Sequence, residues 1–77
     1  RIEKTIAFLK TFTPAQIDGS EEKSVSLKVG GQLMTLQGLP YLLSYVLPNV
    51  YFHTTTAYNI LRHNGVELAK KDYLGSF

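Results

Sequence analysis

The chain has 77 residues, of which 44% are hydrophobic and 18% charged, with a net charge of +2 and no cysteine. At this length only about 60% of the unfolded surface is buried and one core contributes roughly 3 to 5 kcal/mol, so stability must come from packing, oligomerisation or a further polypeptide segment. The missing thiols exclude disulfides, zinc ribbons, iron–sulfur sites and cysteine nucleophiles, and they fit a reducing, cytoplasmic location.

In chain order, Ile2, Ile6, Phe8 and Leu9 recur at spacings of three and four between Glu3, Lys4 and Lys10, which predicts an amphipathic helix over residues 1–12. No Ser, Thr, Asp or Asn precedes Arg1 to cap it, so the helix is expected to begin upstream and the chain to be part of a longer protein. Arg1-Ile2-Glu3-Lys4 leads into an amphipathic stretch and not an uninterrupted apolar one, so these residues are not expected to be a signal peptide, and a targeting segment upstream of them would not be seen. Thr13-Pro14 supplies an N-cap before a Pro at the first helical position, so Ala15-Gln16-Ile17 can make one turn before Asp18-Gly19-Ser20 breaks it.

Over residues 24–36 the period changes from helical to alternating, with Gly30-Gly31 in the middle, which predicts a β-hairpin. With those glycines as the turn, Val25, Leu27 and Val29 oppose Leu36, Met34 and Gln32 on the apolar face. Ser26 and Lys28 oppose Thr35 and Leu33 on the solvent face, where Leu33 is the exception. A lone hairpin is marginal in water, so its apolar face is expected to lie on the segment that follows.

That segment predicts a long helix over residues 39–64. Leu42, Leu43, Val46, Leu47, Val50, Ala57, Ile60 and Leu61 form a wide apolar band that several aromatics thicken almost to a cylinder. Residues 39–52 are too few and too hydroxylated for a membrane span, which needs about 20 apolar residues. Pro48 is expected to kink the helix near Ser44 and Tyr45. Arg62 and His63 suit the helix end, and Gly65 supplies its C-terminal stop. Residues 65–77 show no sustained period and read as an irregular tail, and the whole of 1–77 reads as a single partial domain.

Eight Lys and Arg against six Asp and Glu are scattered, so a pI near 9.0 gives no footprint for nucleic acid. Nucleophile-elbow, H-E-x-x-H and phosphate-loop motifs are absent. The two histidines, ten residues apart, stand about 15 Å apart on a helix and cannot share one metal ion. His63 reads as a solvated cation at the helix end. His53 shares a stripe with Val46, Val50 and Ala57, so a buried ring hydrogen-bonded by Asn49 or by Thr54 to Thr56 is expected. A metal-ligand role for it would need further donors. Tyr41, Tyr45 and Phe52 read as packing residues before they read as a ligand pocket.

The stretch from His53 through Tyr58-Asn59-Ile60-Leu61-Arg62-His63-Asn64-Gly65-Val66 resembles the last helix of DinB-like (YfiT-like) four-helix bundles, in which a ligand His precedes a closing Leu-Arg-x-x-Gly-Val. Together with Val25 to Gly31, Leu47 to His53 and Lys71-Asp72-Tyr73-Leu74-Gly75, it is similar to an uncharacterised subfamily of that superfamily, a domain of unknown function. The resemblance implies a mainly α fold, the C-terminal half of such a bundle, with two helices joined by a β-hairpin crossover. It implies a divalent metal, zinc or nickel, in the intact protein, with His53 as one ligand and none held by this chain alone. The superfamily's second His falls at Asn49, which is then a degenerate ligand position or a hydrogen-bonding neighbour of the ligand. Two readings stay open. One is a structural or dimerisation domain, a homodimer or the companion of a missing N-terminal half, with no nucleic-acid or membrane partner. The other is half of a metal-dependent enzyme, a thiol-dependent transferase or hydrolase-like protein, whose catalytic residues are unknown.

Overall fold

The structure, a computed structural model, describes residues 1–77 and divides into two compact units, Arg1–Leu42 and Leu43–Phe77. In the first unit, α1 (Ile2–Leu9) is followed by a looser turn in which Lys10 and Thr11 N–H donate to the carbonyls of Ile6 and Phe8 at 3.0 and 3.1 Å. The rings of Phe8 and Phe12, one turn apart, meet edge to face at 5.2 Å. The single turn α2 (Pro14–Ile17) begins where Thr13-Pro14 places it, and Gln16 Oε1 accepts the Thr13 N–H at 2.6 Å.

Strands β1 (Ser24–Val29) and β2 (Gln32–Gln37) form an antiparallel hairpin in the register read from the glycines, with Val25 opposite Leu36, Leu27 opposite Met34 and Val29 opposite Gln32. Gly30 and Gly31 both have positive φ, 58° and 81°, as a two-residue turn matched to the strand twist requires. Ser26 and Thr35 share a 3.0 Å hydroxyl hydrogen bond on the solvent face. Val25, Leu27, Met34 and Leu36 are half-buried, while Leu33 is 70% exposed opposite Lys28. At the hairpin base, Leu39 N–H donates to the Glu21 carbonyl at 2.8 Å and opens the short α3 (Gly38–Pro40).

From Tyr41 to Val46 the backbone is a π-helix, and α4 (Leu47–His63) follows it. Pro48, which has no N–H to give the carbonyl of Ser44, stands just beyond the place where the ladder changes register. In the second unit α4 ends in a Schellman motif, with Val66 N–H donating to Leu61 O at 3.0 Å and Gly65 N–H to Arg62 O at 3.1 Å. The segment expected to be an irregular tail contains α5 (Lys70–Leu74), because Asp72 Oδ2 accepts the Ala69 N–H at 2.8 Å and closes the first turn.

The expectation of a bundle half is overturned. The chain is 56% helical, with one two-stranded antiparallel sheet and one long helix, and it is not a two-helix bundle. The physical reason lies in α1: eight residues reach about 12 Å, all of them are exposed, and Ile2 keeps 78% of its surface. A helix of eight residues is too short to form one half of a bundle with the 17-residue α4. No residue anywhere in the chain is buried. No helix is long and apolar enough to cross a membrane.

Candidate functional site

His53 lies in the middle of α4, on the side that carries Asn49 one turn earlier. Its expected burial is corrected: the ring is exposed, and its neighbour in the structure is Phe52, edge to face at 5.3 Å. The hydroxyls expected to satisfy it are engaged elsewhere. Thr54 Oγ1 donates to the Val50 carbonyl at 2.8 Å, and Thr55 Oγ1 donates to Tyr73 Oη at 3.2 Å. Asn49 is half-buried. No three His, Cys, Asp or Glu side chains come together as a group that could hold a metal ion. His63 ends α4 as an exposed residue at the negative pole of the helix.

A second constellation was not read from the sequence. Thr55, Tyr58, Asn59 and Arg62 of α4, together with Lys70 and Tyr73 of α5, line a cleft of about 240 Å³. Spacings of three, one and three place the four α4 residues on one face of that helix. The Gly65 stop turns the chain, and α5 then brings Lys70 and Tyr73, also three apart, to that face. Tyr73 fixes the geometry. Its ring meets that of Tyr58 edge to face at 6.0 Å, while its hydroxyl accepts from Thr55. Tyr58 and Tyr73 are half-buried, whereas Arg62 and Lys70 are exposed at the rim. Neither cation is engaged in an ion pair. The arrangement offers two cationic side chains, an amide and three hydroxyls around an aromatic corner.

The other feature of α4 is its apolar seam. Leu47, Val50, Thr54, Ala57 and Leu61 alternate at spacings of three and four, the repeat that keeps one stripe of a helix facing a neighbour. Val50 and Leu61 are exposed and Leu47 is half-buried. This seam is centred about 110° around the helix from the cleft-lining face.

No curated protein and no solved structure matches the chain. The model of the domain of unknown function DUF1993 matches residues 1–74, and the chain therefore belongs to that family.

Proposed function

We propose that the chain is an association domain that pairs with a second copy of itself along the α4 seam. The observation that carries this reading is the apolar surface that α4 leaves open within the second unit, where no residue is buried and the seam residues Val50 and Leu61 keep 52% and 49% of their surface.

Charge favours self-pairing. Arg62 is the only Lys, Arg, Asp or Glu in α4, and it stands at the C-terminal end. Two antiparallel copies of the helix therefore bring no like charges together along the seam. Thr54 and Ala57, small and near its middle, allow close approach of the backbones.

Sedimentation velocity of the full chain at micromolar concentration is expected to give a dimer. The substitution Ala57→Glu, at an exposed helix position, is expected to give a monomer, because it would bury an unpaired carboxylate in the seam. A compact monomer that unfolds cooperatively would overturn the reading, as would a dimer unaffected by A57E.

A further inference from the structure

We propose that the cleft formed by α4 and α5 binds the oxyanion of a small organic acid or phosphate, with Arg62 and Lys70 as its charged clamp. The proposal stands on residues separate from the α4 seam and does not depend on self-association.

Three features of the cleft point to this ligand chemistry. Arg62 and Lys70 belong to different elements, eight positions apart in sequence, yet both line the same 240 Å³ space, and neither is engaged by a carboxylate of the chain. Asp72, the only acidic residue of α5, accepts the Ala69 N–H. A guanidinium and an ammonium lining one hollow, neither of them ion-paired, match a carboxylate or phosphate, the guanidinium by its two-pronged geometry and the ammonium as a point charge.

The remaining walls set size and orientation. Tyr58 and Tyr73 form an aromatic corner through their edge-to-face contact, and the Thr55 hydroxyl donates to Tyr73. Asn59 adds an amide that can donate or accept. The volume falls below the roughly 300 to 1,000 Å³ of pockets for drug-sized ligands, so a ligand of few heavy atoms is implied. Of the two helices that carry these residues, α4 ends in a Schellman motif, and in α5 the Asp72 carboxylate at the third position accepts the Ala69 N–H.

The test is a nitrogen-15 NMR titration of the full chain with inorganic phosphate and, separately, with acetate, against chloride at matched ionic strength. Saturable shifts confined to the amides of residues 55–73 are expected for at least one oxyanion and not for chloride. The substitutions Arg62→Gln and Lys70→Gln are each expected to weaken binding by about tenfold, the worth of one charge-assisted hydrogen bond. Lys71→Gln, which removes an adjacent charge outside the cleft lining, is expected to leave affinity unchanged. Arg62→Lys, which keeps the charge but not the fork, guards against misreading a folding defect, and far-ultraviolet circular dichroism of every variant checks the helices. Shifts spread over all basic residues, equal losses from K70Q and K71Q, or identical responses to chloride would each overturn the proposal.

Discussion

Gly38 shows how much a single missing atom decides. It stands where β2 passes into α3, and a Cβ built on it would fall onto the backbone oxygen of Ser20. The atoms it would meet are all backbone, from Ser20 and Glu21, so no flexible side chain can yield. Gly38→Ala is therefore expected to destabilise the hairpin base by about 1 to 3 kcal/mol. The check is a lower urea midpoint together with faster exchange of the Leu39 amide, whose hydrogen bond to Glu21 closes the same junction. Leu33 is the opposite case, a large apolar residue with nothing over it and Lys28 directly across the ladder. Leu33→Glu places opposite charges in cross-strand register and is expected to stabilise the hairpin by about 0.2 to 1 kcal/mol. A clear loss of thermal stability would show instead that Leu33 is covered by another polypeptide.

Among the elements, the stretch from Tyr41 to His63 is governed by Pro48. A proline in a helix removes one donor and crowds the preceding turn, at a cost of about 3 kcal/mol in an interior position. Here the disturbance takes the form of six π-helical residues in place of a sharp break. Pro48→Ala restores the donor and is expected to convert residues 41–46 to the α register, with stronger helical ellipticity and slower amide exchange across that stretch. If carbon-13 shifts and exchange there stay as in the parent, the π register is held by side-chain packing of Tyr41 and Tyr45 and not by the proline.

For the whole molecule the governing fact is exposed apolar surface. Ile2, Phe8 and Leu9 on α1 and Val50, Ile60 and Leu61 on α4 all stand open. Self-association along α4 carries a thermodynamic signature. The melting temperature of a dimer rises with protein concentration by mass action, because only the folded state binds the second copy. A tenfold increase in chain concentration is thus expected to raise the midpoint measurably in the parent chain and not in A57E. An identical midpoint at both concentrations would contradict the dimer.

The sequence by itself determined the local devices. Gly30-Gly31 between two alternating runs determined the hairpin and its register, Thr13-Pro14 the start of α2, and Gly65 after Leu61 to Asn64 the end of α4, because each depends on backbone geometry and contacts a few residues apart. The four α4 residues of the cleft were also legible as one helical face. Their partners were not, because α5 rests on Asp72 turning back to Ala69 in a segment with no apolar period. Tertiary structure alone decided the rest. An apolar stripe records that burial is favourable but not what does the burying, so the alignment of His53 with Val50 and Ala57 points to the interior although its ring is exposed. The same ambiguity makes α1 look like one half of a helix pair, when its eight residues are too short for that role.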